Sequence, residues 1–417
     1  MTVVETGRED VRDKILLALV TLLPMFALIG NAVADIGLNL VTLGFIMTSS
    51  AHLKTFLRSR FLLICVAFWV WILCCSALSD FPQNSFRDSL PWIRFPLYAF
   101  ALSHLLGRRN GLYIRYLIGA AIGGTLIEIA FLLYEYIFLR GELARLHGTY
   151  GKLIAGWYLA GFSLLAVLWS FEKLRKEAVG LPQRLLIIAF AGVTSFGIII
   201  TGEVMNTLFF AGTLFLYFVI RKSYSLQTIG LIVAGVGVVL ALGVAASFLD
   251  PLLQERLIHS ITTRLPWMTS SDYYIPFKMG LETAWQNLGL GVGPKNSNAY
   301  CMALLKAGQL IATLDIDTCY WHPHNLYIQI AAETGLIGLV MFIGLAGYVL
   351  LEAIKDFADP KNDSNLAILL AFALFFPIQT YFQAFGQFKN FYFWSLLGVV
   401  LFMIRDRKKA DDQAMRL

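Results

Sequence analysis

Charge is what this chain has least of. Of its 417 residues only 14% are Asp, Glu, Lys or Arg, while 58% are hydrophobic and the mean hydropathy is +0.68. A soluble domain carries about 25% charged residues. This much apolar surface cannot be hidden in a protein core, so the chain is expected to take a bilayer as its solvent. Familiar reaction motifs are missing too. There is no Walker-type phosphate loop, no Gly-x-Ser-x-Gly elbow, and no paired His/Cys metal motif. His322 and His324, one residue apart, do not make a zinc site without further ligands. The expectation is chemistry without a metal or a cofactor. The N-terminus, "MTVVETGREDVRDK", runs straight into an apolar stretch with no small-residue cleavage site, so no cleavable signal is expected. The formal charge of +6 needs no nucleic acid to explain it.

What is present is a series of long apolar runs. A spanning helix needs about 20 apolar residues, and twelve candidates occur, near 15–31, 35–51, 61–79, 88–106, 113–138, 154–171, 185–202, 204–220, 226–248, 325–351, 366–385 and 390–404. The expected fold is an all-α polytopic membrane protein, one integral domain over 1–417, with a single large periplasmic loop at about 249–324. The basic residues orient it. With the N-terminus inside, the inner connections include "HLKTFLRSR", "GRRNGLYIR", "EKLRKEAVGLPQR" and the tail "RDRKK", and 22 of the 33 basic residues fall inside. Both termini are therefore expected to be cytoplasmic, and the remaining basic residues are those that orientation does not explain.

The long segment is not low-complexity. "LDPLLQERLIHSITTRL" has Leu and Ile at helical spacing and reads as an amphipathic helix on the membrane. "YIPFKMGLETAWQNLGLGVG" reads as a second helix ending in a Gly-rich turn. Cys65, Cys74 and Cys75 fall in one spanning helix as inert core thiols. Cys301 and Cys319 both fall in the outer loop, where an oxidising compartment favours a disulfide over two free thiols.

His324 begins the tenth apolar run, after Pro323 and before Asn325, a candidate N-cap. The positive end of a helix favours neutral imidazole, which suits a general base. The alternative is a histidine that only caps the helix. His322 is a loop or substrate-contact residue. Glu333 lies nine residues on, half a turn off the His324 face and roughly 13 Å along the axis, so it is not a simple catalytic partner. With Gly335 and Gly338 it suits a structural role in close helix packing. On the outer side, "LRGELARLHGTYGK" holds Arg140, Arg145, His147 and Lys152. The long loop adds Arg256, Arg264, Lys278, Lys295 and Lys306, and Arg94 stands near the outer end of its helix. Such a basic basin would suit a lipid-linked phosphate; the alternative is pairing with headgroups or with Glu142, Glu255 and Asp272.

"HNLYIQIAAETGLIG" resembles the His-Asn-x-x-Leu…Glu-x-Gly-x-x-Gly signature of the O-antigen ligase and polymerase superfamily. "NLGLGVG" is similar to its Pro-x-x-Gly-Val-Gly segment, with Leu288 at the proline region, and "RLHGTYGK" to the Arg-x-x-Gly-Thr stretch of its mid-chain loop. Two stretches depart: "ITGEVMNTLFF" has Val204 and Met205 where relatives carry a Ser/Thr-Arg pair, and "SSDYYIPFKMG" lacks an arginine before the Gly-rich turn. The resemblance implies a glycosyltransferase working at the periplasmic face of a Gram-negative inner membrane. It moves a glycan from an undecaprenyl-diphosphate carrier to a hydroxyl, in ligases that of the lipid A–core. It implies His324 at the acceptor and Arg145 and Arg264 at the diphosphate; from their outer-side positions Arg256, Lys152, Arg94, His147, His322 and Asn325 are further candidate substrate contacts. The partners implied are the lipid-linked glycan, the acceptor and membrane lipids. An O-antigen polymerase or a protein O-oligosaccharyltransferase would share the donor. A lipid-linked oligosaccharide transporter is the rival of another class, with Glu128 and Glu135 as its candidate intramembrane carboxylates.

The charge bias generates a test. A reporter fused near Ser297 should behave as exported while one fused at either terminus behaves as cytoplasmic; a cytoplasmic reading at Ser297 would sink the orientation.

Overall fold

The structure is a computed structural model that describes residues 3–48, 58–139, 146–149, 155–176, 179–220, 226–251, 253–255, 274–307, 319, 323–358, 366–375, 385 and 387–414. Among these every regular element is a helix. The first half contains α1 (Val3–Ile29), α2 (Asn31–Thr48), α3 (Arg60–Ala77), α4 (Pro82–Ser89), α5 (Arg94–Leu106) and α6 (Leu112–Tyr134), the last running on through a π turn, Glu135–Leu139. After it come α7 (Ala155–Tyr158), a π turn (Leu159–Ser163), α8 (Leu164–Lys176), α9 (Leu181–Ile200), α10 (Val204–Ile220) and α11 (Leu226–Leu249). The remainder comprises α12 (Tyr274–Gln286), α13 (Ser297–Lys306), α14 (Leu326–Ala358), α15 (Leu366–Phe375) and α16 (Gln387–Ala414). Among the described residues five helical stretches are long and apolar enough to cross a membrane: Asn31–Thr48, Arg60–Ala77, Leu112–Leu139, Leu181–Ile200 and Leu326–Ala358.

Side-chain contacts define two ends of the bundle. Arg108 Nη1 meets Asp13 Oδ1 at 3.1 Å, and Arg405 Nη2 donates to Ser103 O at 2.8 Å, so the early part of α1 and the late part of α16 share an end. At the opposite end Thr149 Oγ1 donates to Leu28 O and Arg94 Nη2 sits 2.9 Å from Asp35 Oδ1. Aromatic packing holds the two halves together: Trp394 lies edge-on to Trp92 at 5.6 Å and stacks on Phe95 at 6.5 Å, while Tyr98 and Ser395 hydroxyls meet at 2.9 Å. Leu336, Val340 and Ile343 stay largely exposed on α14, a stripe that water would penalise and lipid would not.

Three expectations need correction. The run at 88–106 is not one helix: α4 ends at Ser89, a 3₁₀ turn (Leu90–Ile93) follows, and α5 starts at Arg94. Pro91 lacks an N–H for a continuous ladder, and buried serines hold α4 instead, with Ser76 Oγ bonded to Ser89 Oγ and Ser85 Oγ to Ser76 Oγ, both at 2.8 Å. The run at 154–171 is interrupted by the π turn Leu159–Ser163. Cys74 is exposed, unlike the buried Cys65 and Cys75. Of the amphipathic segment at 249–265, residues 252 and 256–265 lie outside the described residues, as do residues 376–384 of the run at 366–385.

The decisive feature is a break inside α14. Gly335 has φ 69° and ψ −174°, a backbone state open essentially to glycine alone. The break frees main-chain groups that lipid could not satisfy, and the Gly-rich turn takes them. Val292 N donates to Ala332 O at 2.9 Å, Gly293 N to Glu333 O at 3.0 Å, and Leu336 N to Leu288 O at 2.8 Å. Trp71 Nε1 donates to Thr334 O at 2.9 Å. Gly338 admits this contact: a Cβ there would stand 3.2 Å from Trp71 Nε1.

A Cβ on Gly335 would lie 2.3 Å from Gly289 O. Gly335→Ala should therefore cost about 2–4 kcal/mol and lower the melting temperature in detergent, whereas Gly344→Ala, with nothing within 4 Å of its Cβ position, should change it little. Equal melting of both variants would mean that the break is dispensable.

Candidate functional site

Two polar assemblies occupy the end of the bundle opposite the termini. The first is built on the broken helix. Glu333 is buried, and its carboxylate accepts from Lys295 N at 2.9 Å, Ser297 Oγ at 2.8 Å and Gln329 Nε2 at 3.4 Å. Its role here is to seat the Gly-rich turn, which enters α13 at Ser297. Asn296 ties the same turn to α4, taking Asn84 Nδ2 on its Oδ1 at 2.8 Å and donating Nδ2 to Val292 O at 3.0 Å and Ser79 Oγ at 3.2 Å.

About two and a half turns before the break, the start of α14 is capped by Asn325, whose Oδ1 accepts from Tyr327 N at 3.0 Å and Ile328 N at 3.1 Å. His324 stands just ahead of the cap with φ 50° and is half-buried. A left-handed histidine is held only where its surroundings over-determine it. Three anchors do so. Tyr327 Oη donates to Phe375 O at 2.6 Å; Gly280 of α12 lies so close that a Cβ would meet Pro323 Cβ at 2.7 Å; and Cys301 of α13 is disulfide-bonded to Cys319, with Cα atoms 5.5 Å apart. The disulfide ties α13, and through it the Glu333 turn, to the strand of chain that leads into His324.

The second assembly holds the turn that carries His147. Glu128 and Glu135, two turns apart on α6 and its π extension, both point at residues 146–149. Glu135 Oε2 accepts from His147 N at 2.7 Å and Gly148 N at 2.9 Å, and Glu128 Oε2 accepts from Thr149 N at 3.2 Å and Thr149 Oγ1 at 2.7 Å. Gly148, φ 74°, is the residue this geometry requires: its Cβ would lie 1.9 Å from Glu128 Oε1. These carboxylates, unremarked in the sequence except as transporter candidates, are structural acceptors. Their spacing of seven in an apolar helix, just before a Gly-Thr turn, is the signal that could have found them.

Among the sequence candidates, then, the structure gathers His324, Asn325, Glu333, Gly335, Gly338, Cys301 and Cys319 into one assembly. It places His147 in the other and pairs Arg94 with Asp35. Arg145, Arg256, Arg264, Lys152 and His322 lie outside the described residues. So does Asp315 with Asp317, an Asp-x-Asp pair of a kind able to hold a divalent ion. Among the described residues no three His, Cys, Asp or Glu side chains cluster as a metal site would need.

Removing the acceptor at Glu135 strands two main-chain donors. Glu135→Ala should cost about 1–3 kcal/mol and speed tryptic cleavage at Arg140, Arg145 or Lys152 in the intact membrane protein, while Glu135→Gln, which keeps one acceptor, should do less. Unchanged cleavage in the alanine variant would dissociate the carboxylate from the placement of the loop.

Residues 185–343, from α9 through the break in α14, match the family model described as O-Antigen ligase. No curated relative matches the chain.

Proposed function

We propose that this chain, whose residues 185–343 match the O-antigen ligase family model, is a glycosyltransferase of the ligase type. It transfers a glycan from undecaprenyl-diphosphate to a lipid A–core acceptor at the periplasmic face of a Gram-negative inner membrane, with both termini cytoplasmic. The observation that carries the reading is the setting of His324: a half-buried histidine in a left-handed conformation at the capped start of a broken helix, anchored by a disulfide and by the Glu333 turn.

In this reading the acceptor hydroxyl oxygen attacks the anomeric carbon and the bond from that carbon to the diphosphate oxygen breaks. His324 takes the hydroxyl proton, and undecaprenyl diphosphate leaves with its charge met by basic side chains such as Arg145 and Arg264, with Arg256, Lys152 and Arg94 beside them. His147, His322 and Asn325 border the substrates. A donor already activated as a diphosphate ester needs charge stabilisation and a proton acceptor, so the step is written without a metal. The transporter reading loses its main support, because the carboxylates of Glu128 and Glu135 are engaged by main-chain N–H groups.

The test is transfer in vitro by purified variants from a defined undecaprenyl-diphosphate glycan. His324→Ala should lower turnover about 10²–10⁴-fold with expression and donor retention intact, and a chelator should leave the wild type active. Wild-type turnover in His324→Ala would reduce the histidine to a cap residue; loss of wild-type activity on chelation would overturn the metal-free step. Running the assay with lipid A–core, with a second lipid-linked glycan and with a protein acceptor separates ligase from polymerase and oligosaccharyltransferase.

A further inference from the structure

The turn at residues 293–296 carries a residue that its backbone does not favour. Asn296 N donates to Gly293 O at 3.1 Å, Pro294 occupies the second position, and Lys295 occupies the third with φ 64°. A turn with proline second and positive φ third is a type II turn, whose third position calls for glycine. Here an exposed lysine takes it, although glycine would be free of the steric cost. The backbone therefore does not explain Lys295.

Its neighbours are cationic. Asn84 Nδ2 donates to Lys295 O at 3.3 Å, which lays the turn along α4. Asn84, Arg87 and Asp88 share a face of α4 by their spacing of three and four. Arg94 follows one 3₁₀ turn later, with its Nε buried and without a hydrogen-bond acceptor. Its Nη2 is ion-paired to Asp35. Among the described residues neither Lys295 nor Arg87 is ion-paired, and each bears on the Asp88 carboxyl as a positive charge. Burial pushes the Asp88 carboxyl above its ordinary value even with Lys295, Arg87 and Arg94 around it. The scaffold beneath is rigid: Lys295 N is fixed by Glu333 and α4 by buried serines. Bidentate guanidinium and a point-charge ammonium together suit phosphate oxygens.

We propose that Lys295, Arg87 and Arg94 form a phosphate-binding subsite between the Gly-rich turn and α4, at the end of the bundle where His324 stands. The ligand class is a lipid phosphate ester. Its identity as the donor diphosphate rests on the transferase reading; the subsite itself does not.

The experiment uses the full-length protein in phosphatidylcholine nanodiscs and measures retention of two added lipids, undecaprenyl diphosphate and phosphatidylglycerol, without any acceptor. Lys295→Gly removes the charge while relieving the backbone, so its melting temperature should equal or exceed that of the wild type. Arg87→Ala, at an exposed position, is the second variant and carries the test if the first fails to fold. Each should weaken retention of undecaprenyl diphosphate about tenfold or more, as expected for losing a charge-assisted contact. Unchanged retention of phosphatidylglycerol assigns the subsite to the diphosphate, and an equal loss of both assigns it to lipid headgroup phosphate. Wild-type retention of both lipids in both variants overturns the proposal. His324→Ala distinguishes the two readings: it should retain the diphosphate lipid while losing transfer. A wild type that binds through Lys295 yet transfers nothing would refute the transferase and leave the subsite standing.

Discussion

The broken helix and the segments anchored to it depend on one buried carboxylate meeting one main-chain N–H. Glu333 takes the N–H of Lys295 at 2.9 Å inside a helix that has been opened at Gly335. In lipid an opened helix is costly, because each freed carbonyl or N–H loses its partner with no water to replace it. The Gly-rich turn supplies replacements for the broken ladder through Val292 N, Gly293 N and Leu288 O, and Trp71 supplies a fourth. The carboxylate locks that turn in register. Break and plug are mutually dependent: neither is a stable arrangement of main chain without the other.

From this junction the other site features are placed. Ser297, held by Glu333, starts α13, and α13 carries Cys301 to its disulfide with Cys319. The chain then returns to the same helix at His324 and Asn325. The histidine and the lysine, the two non-glycine residues of left-handed backbone at this end, are thus fixed by opposite ends of one short closed circuit. A strained conformation at both places is affordable because the circuit is closed covalently at one point and by a charge-assisted bond at another.

Much of this was legible in the residues. The scarcity of charge and the length of the apolar runs pointed to a bundle of membrane helices. Asn325 read as a cap, the two loop cysteines as a pair, and Glu333 with Gly335 and Gly338 as structure. The break itself was not legible, since hydropathy over 325–351 is blind to one residue at positive φ whose cause is a turn some forty positions away. The division of 88–106 was hidden for a related reason: the serines that hold α4 are unremarkable until they face one another. Glu128 and Glu135 looked like membrane charges because their spacing before a Gly-Thr turn does not by itself say that the turn folds back onto them. Each miss is a tertiary hydrogen bond overriding a local pattern.

The grip of Glu128 and Glu135 on residues 147–149 is a grip mainly on the main chain. A main-chain donor is the same whatever side chain is attached. The position of that turn is therefore insulated from the identity of residue 147, though not from that of Gly148, where a Cβ would meet Glu128, or of Thr149, whose hydroxyl donates to Glu128. A substitution at residue 147 can therefore change the side chain offered there without altering how the loop is held, a separation of address from content that lets one vary while the other stays constant.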